Sequence, residues 1–188
     1  MDKVLVQAYK LVAELLSYPE DLNLGEIEQW TDHLGRSLVE EIGHEVALNV
    51  RSFVQDLKSI TAGEYIDTLE LAPRCPLYLG YWAFLDEGAD SPSRRKFMSE
   101  LLDVYHLFGL SLGGKELPDY LPVVVEFLWI SLGKGRQEAR TRVITQYALP
   151  WLPNIITCLE DNGSPYARLL KTLQMLIEWD LRQEGGIG

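Results

Sequence analysis

Apolar residues recur at three- and four-residue intervals along most of this chain, the period of helices that bury one face. Val4, Ala8, Leu11, Val12 and Leu15 form the first such stripe, and Pro19 marks its end. Ile27, Trp30 and Leu34 define a second stripe. Val46, Val50, Phe53, Val54 and Leu57 define a third, with Gly63 beyond it as a breaker. A shorter helix is expected from Glu64 to Leu71, stopped by Pro73. Ser91-Pro92 reads as the N-cap and first residue of a helix with Phe97, Leu101, Tyr105 and Phe108 inside, and Gly109 and Gly113-Gly114 end it. Another helix is expected from Arg136 to Ala148, with Pro150 as its stop, and Pro153 opens one carrying Ile156 and Leu159 that Asn162-Gly163 closes. Ser164-Pro165 starts the last helix. Tyr166, Leu169, Leu170, Leu173, Leu176 and Ile177 are its inner stripe, and a fraying tail is expected from Gln183 to Gly186.

Two segments depart from this amphipathic pattern. Cys75 to Leu85 is oily on all sides; period alone does not separate a buried helix from a strand there, and the helical surroundings favour a helix. The second runs from Lys115 through Glu116, Leu117, Pro118, Asp119, Tyr120, Leu121 and Pro122 to Leu128, a turn entering an almost wholly apolar helix. Pro118 favours extended backbone at Leu117. Asp119 is then a natural N-cap, and Pro122 falls where its missing N–H had no intrahelical partner anyway. Asp119 and Glu126 are seven apart, so both would lie on one face about two turns from each other. Carboxylates on so oily a surface are costly unless something pairs with them, which makes this face a candidate for grasping a basic or hydrogen-bonding partner. No alternating run, repeat or low-complexity tract occurs. The fold expected is all-α, a single domain over residues 1–188 of about eight to ten helices packed by ridges and grooves, with a possible flexible link at 109–115.

Composition narrows the function. A chain of 188 residues with 47% hydrophobic content suits one globular domain, and one of this size buries roughly 70% of its unfolded surface without a staple. Cys75 and Cys158 are far apart and lack metal-ligand spacing, so reduced packing residues are expected rather than a zinc site or a disulfide framework. The net charge is −11 and the pI near 4.7, with no basic stripe. That argues against nucleic acid and against an anionic membrane surface, and suits a basic peptide, whose encounter opposite fields would speed. The first residues begin a helical pattern and not a secretory signal, and the longest oily runs are too short or too interrupted to span a bilayer; a soluble, cytoplasmic chain is expected. Gly113-Gly114-Lys115 lacks the strand and hydroxyl of a phosphate loop, His33, His44 and His106 sit at no ligand spacing, and no nucleophile motif occurs. Glu40-Glu41 reads as a solvated helix face. Glu116 and Asp119 are either a cap with its neighbour or a functional pair. Tyr78, Tyr81, Trp82 and Phe84 are mostly core by this reading, yet Tyr81 and Trp82 are adjacent and cannot both point inward, so at least one of the four is expected at the surface as an anchor for a guest.

Glu116-Leu117-Pro118-Asp119, followed by Leu121-Pro122 and Glu126-Phe127-Leu128, resembles the signature of the nitrate reductase delta-subunit (NarJ-type) chaperones, within the wider TorD/DmsD group of redox-enzyme maturation proteins. Leu15-Leu16-Ser17-Tyr18-Pro19 resembles the opening block of that family, Leu77-Tyr78-Leu79 with Arg95 its middle block, and Ser164-Pro165-Tyr166-Ala167 its last helix. Tyr120 stands where many relatives have histidine, and Glu70 where they often have aspartate. The resemblance implies a cytoplasmic assembly chaperone and not an enzyme. Such a chaperone binds the N-terminal, signal-like segment of a molybdenum-cofactor oxidoreductase catalytic subunit and supports cofactor insertion before export or membrane docking. The molybdopterin cofactor would belong to the client, with none bound stably here, and the chaperone would be a monomer or a dimer. The implied partner-binding residues are Glu116, Leu117, Pro118, Asp119, Tyr120 and Glu126, with Tyr78, Tyr81, Trp82 and Arg95, the last conceivably paired with Glu70 or Asp86. The alternatives are a structural subunit of the reductase and a small-molecule enzyme working from Glu116 and Asp119.

Overall fold

Each stripe read from the sequence becomes a helix whose apolar side is buried. The computed structural model describes residues 2–114 and 116–185, with backbone alone for residues 2, 184 and 185. Its helices are α1 (Asp2–Leu15), α2 (Leu24–Glu41), α3 (His44–Leu57), α4 (Ala62–Tyr65), α5 (Leu79–Ala83), α6 (Pro92–Leu107), α7 (Leu121–Ser131), α8 (Gln137–Arg142), α9 (Leu152–Asp161) and α10 (Tyr166–Gly185). Among the described residues there is no strand, so the protein is all-α; a single isolated antiparallel bridge joins Tyr78 to Tyr120. Met1, Lys115 and the residues after Gly185 lie outside the described residues, and with them the lysine of the Gly113-Gly114-Lys115 turn and the end of the expected fraying tail.

α1, α7 and α10 form the centre. α1 packs against α2, α7 and α10, and α10 packs also against α3 and α9. Leu169, Leu170, Leu173, Leu176 and Ile177 of α10 are fully buried, as are Leu121, Val124, Val125 and Leu128 of α7. Each such side chain contributes about 1.5–3 kcal/mol by leaving water. α7 is apolar on nearly every side because it is covered on nearly every side, which explains why it carries one charged residue, Glu126, and why that residue is exposed. Helices from both sides of the 109–115 segment share one contiguous core.

Local signals decide several ends. The Ser91 hydroxyl accepts from the Arg94 N–H with Pro92 in the first turn, as expected. Thr61 and Glu64 form a reciprocal capping box at α4, which continues into a π-helical turn, Ile66–Glu70. α8 continues in the same way into Val143–Ala148.

Three expectations need correction. The oily run 75–85 is not one helix: 75–78 is irregular or extended, and only Leu79–Ala83 is helical. Two backbone bonds hold the extended part against the start of α7, Leu79 N–H to the Asp119 carbonyl at 2.9 Å and Leu121 N–H to the Leu77 carbonyl at 2.8 Å. Asp119 does not cap its own helix; Tyr120 takes that position without a side-chain bond. The cysteines are not reduced: Cys75 and Cys158 are joined in a disulfide, their Cα atoms 5.8 Å apart across a sequence separation of 83.

Candidate functional site

The signature segment is folded around Asp119. Its side chain is completely buried. Its backbone carbonyl accepts from Leu79 N–H, and its carboxylate Oδ2 accepts from Gly80 N–H at 3.1 Å, so one residue supplies acceptors to the first two amides of α5. The same oxygen receives the Arg94 guanidinium at 3.3 Å. Gly80 is required by this approach: a Cβ there would stand 2.7 Å from Asp119 Oδ2 and 3.2 Å from Arg94 Cγ. The remaining polar atoms, Asp119 Oδ1 and Arg94 Nε, are buried without a hydrogen-bond partner among the described residues. Burial pushes the Asp119 carboxyl above its ordinary pKa, and the Arg94 charge and the Gly80 amide pull it only part of the way back.

The preceding turn is fixed from the other side. The Tyr105 hydroxyl donates to the Pro118 carbonyl at 2.9 Å, and Tyr120 N–H bonds the Leu117 carbonyl at 3.1 Å. Burial raises the Tyr105 pKa, so this hydroxyl stays a donor. Pro118 is buried with Asp119, whereas Glu116 and Leu117 are exposed, Leu117 by 44%.

What this frame displays is a pair of tyrosines. The rings of Tyr78 and Tyr120 lie 5.1 Å apart at 31°, beside the bridge that joins their backbones. The Tyr120 hydroxyl donates to the exposed Glu70 carboxylate at 3.2 Å; the Tyr65 hydroxyl is shared between that oxygen at 3.1 Å and the Leu16 carbonyl at 2.9 Å. Burial raises the Tyr78 and Tyr120 pKa values. The negative charges of Glu70 and Glu116 add to the effect. Leu71, next to Glu70, is 75% exposed, and Tyr81 is 38% exposed with its ring edge-on to Trp82. Trp82 is half-buried and donates its indole N–H to the Pro76 carbonyl.

The ten residues singled out from the sequence therefore divide. Tyr78, Tyr120, Glu116, Leu117 and Tyr81 are exposed or half-buried. Asp119 and Pro118 are sealed inside, and Trp82 is partly so. Glu126 is exposed and Asp119 is not, so the two do not share a face. The Glu116–Asp119 pair likewise does not converge, since one points out and the other in. Arg95 pairs with neither Glu70 nor Asp86; it donates to the Asp90 carbonyl, and its neighbour Arg94 is the residue that meets Asp119.

A second polar cluster went unforeseen. Arg140 and Asp180, each 2% exposed, form a two-pronged ion pair, with Tyr9 donating to Asp180 at 2.7 Å. They border a cavity of about 350 Å³ between the end of α7 and the C-terminal part of α10. Among the described residues no three His, Cys, Asp or Glu side chains are grouped to hold a metal, and no helix is long and apolar enough to cross a membrane.

No family model matches the chain. The nitrate reductase-like protein NarX of Mycobacterium tuberculosis, in each of two strains, is 28% identical over 160 residues; these are 85% of this chain but 22% of NarX, so the chain spans about a fifth of that relative's length. The probable nitrate reductase molybdenum cofactor assembly chaperone NarJ of Bacillus subtilis is 27% identical over 169 residues, 87% of this chain and 84% of the relative. The likeness to a NarJ-type chaperone therefore runs through most of both chains, and it supports a NarJ-type family for this all-helical chain.

Proposed function

We propose that the chain is an assembly chaperone for a nitrate reductase that carries a molybdenum cofactor. It would work in the cytoplasm by holding the N-terminal segment of the catalytic subunit while the cofactor is inserted. The observation that carries the reading is the half-buried Tyr78–Tyr120 pair, with Glu70 bonded to Tyr120 and Glu116 exposed close by in sequence, held on a backbone frame that Asp119, Arg94 and Tyr105 lock from beneath. Rigid aromatic rings bury area at small entropy cost, and carboxylates beside them favour a guest with a basic side chain next to an apolar one. Leu71, Leu117 and Tyr81 supply exposed apolar surface, and the charge of −11 favours a basic guest from a distance. In this reading the signature acid is the support, and the surface residues around it do the binding. The cofactor stays with the client.

Titration of fluorescent peptides from the N-termini of candidate reductase subunits tests this. Binding at micromolar affinity or tighter is expected. Tyr120→Ala and Glu70→Gln should each weaken it about tenfold, a loss near 1.4 kcal/mol, with the helical spectrum unchanged. Failure of every candidate peptide to bind the folded protein would refute the peptide reading. Stoichiometric co-purification with the mature enzyme would instead support a structural subunit.

A further inference from the structure

We infer that Cys75–Cys158 is a reversible thiol–disulfide site that sets how firmly the segment from Leu71 to Gly80 is held. The inference concerns how this surface is anchored, and it holds whatever binds there.

The bond joins an irregular segment to a helix. Cys75 lies between the π-helical turn ending at Glu70 and the start of α5, and Cys158 lies in α9. Without the bond, the first half of the segment has few anchors. Leu71 is 75% exposed, Ala72 has φ +48° in the left-handed region that residues with a side chain avoid, and Pro73 donates nothing. Three backbone bonds tie it to the preceding turn, Leu71 N–H to Ile66 at 3.1 Å, Arg74 N–H to Asp67 at 3.3 Å and Cys75 N–H to Thr68 at 3.1 Å. The next contacts down the chain are the Pro76 carbonyl, which accepts from the Trp82 indole, those of Leu77 and Leu79 with the signature segment, and Gly80 on Asp119. The disulfide is thus the covalent tether between the strained, exposed part and α9, three residues before Tyr78.

The two sulfurs are not equivalent. Cys75 is fully buried, whereas Cys158 is half-buried. The Asn162 side-chain amide lies 3.6 Å from Cys75 Sγ and 3.9 Å from Cys158 Sγ, near enough to stabilise negative charge on the buried sulfur as it leaves, so access is what separates the two. An external thiolate would therefore attack Cys158 Sγ. The S–S bond breaks, Cys75 leaves as a thiolate and takes a proton, and a mixed disulfide forms on Cys158. A second external thiolate attacks its own kind in that mixed disulfide, releasing the Cys158 thiolate, which is protonated, and the oxidised small thiol. Two electrons pass from the thiol pair to the protein. Closure runs the same steps backwards, with a low-molecular-weight disulfide such as oxidised glutathione as the oxidant.

Hydrogen exchange on the intact chain, in oxidised and then in reduced glutathione, reads the proposal directly. Reduction should raise exchange in peptides covering 71–80 by about tenfold or more while α1, α7 and α10 stay protected. A pulse of alkylating agent should label Cys158 before Cys75. Cys158→Ser should show the reduced pattern in both buffers. Three results would overturn the inference: identical exchange in the two buffers, thiols that stay free in oxidised glutathione, or loss of protection throughout the molecule on reduction. The last would make the bond a staple of the whole fold and not a local tether.

Discussion

Replacing Asp119 by alanine separates support from binding. The substitution removes the carboxylate that accepts from Gly80 N–H and that pairs with the Arg94 guanidinium, whose side chain is 10% exposed. Breaking a buried pair from one side costs about 3–5 kcal/mol, because the remaining charge stays in the interior. For a domain of this size each kcal/mol moves Tm by about 2–4 °C, so Asp119→Ala should melt about 6–20 °C below the wild type. Asp119→Asn keeps an oxygen for Gly80 and loses only the charge, so a smaller loss, about 1–2 kcal/mol, is expected. Adding Arg94→Met to Asp119→Asn should restore part of it, since the uncompensated charge is then gone. Urea unfolding followed by far-ultraviolet circular dichroism measures all four proteins. An Asp119→Ala protein within 1 kcal/mol of wild type that had lost peptide affinity would refute the reasoning, since the acid would then be a contact residue and not a support.

The same acid should leave a mark on pH dependence. Its folded pKa is raised, mainly by burial, so its contribution is fully present below the unfolded value near 3.9 and is lost as pH rises through the folded value. The stability advantage of wild type over Asp119→Asn should therefore shrink between pH 4 and neutrality; an advantage that grows over that range would mean that Arg94 outweighs desolvation. Gly80→Ala should cost about 1–3 kcal/mol by driving a methyl into the Asp119 carboxylate, and much less in an Asp119→Ala background, a non-additivity that a denaturation cycle detects. Asp180→Ala should cost about 3–5 kcal/mol by stripping Arg140 of that carboxylate, whereas Arg140→Met with Asp180→Leu should recover most of the loss.

The helices were legible because burial and period agree: the stripes of α1, α3 and α10 are buried where their spacing puts them. The charged residues within those stripes were legible by the same rule, though a reading by motif passes over them. Arg94 lies three and seven residues before Phe97 and Leu101, on the inner face of α6, while Arg95 is turned a hundred degrees away. Asp180 follows Leu173, Leu176 and Ile177 at the same spacing, and Arg140 precedes Val143, Ile144 and Tyr147. A charge on an apolar stripe needs an opposite charge from elsewhere in the fold, and among the described residues Arg94 meets Asp119 in the turn before α7 and Arg140 meets Asp180 on α10. What period does not carry is which distant segments meet. The extended stretch at 75–78 exists because the start of α7 offers it backbone partners, and the disulfide exists because α9 passes beside it, 83 residues on. Neither neighbour can be read from local pattern.

That difference changes how the signature should be understood. Glu-Leu-Pro-Asp looks like a binding motif because it places acids in oily surroundings, and an acid there needs a partner. The partner is internal. Asp119 occupies Arg94 and the amide of Gly80, Pro118 gives its carbonyl to Tyr105, and the residues left facing outward are Glu116, Leu117 and Tyr120. A motif of this kind sets the position of its neighbours to within a hydrogen-bond length and leaves their identity free. The hydrogen bonds of the frame beneath do not use the side chain at 120, and Glu70 accepts the hydroxyl of the tyrosine that stands there. Under the proposed function, client preference should accordingly follow changes at 70, 78, 116 and 120, and global stability should follow changes at 80, 94, 105 and 119.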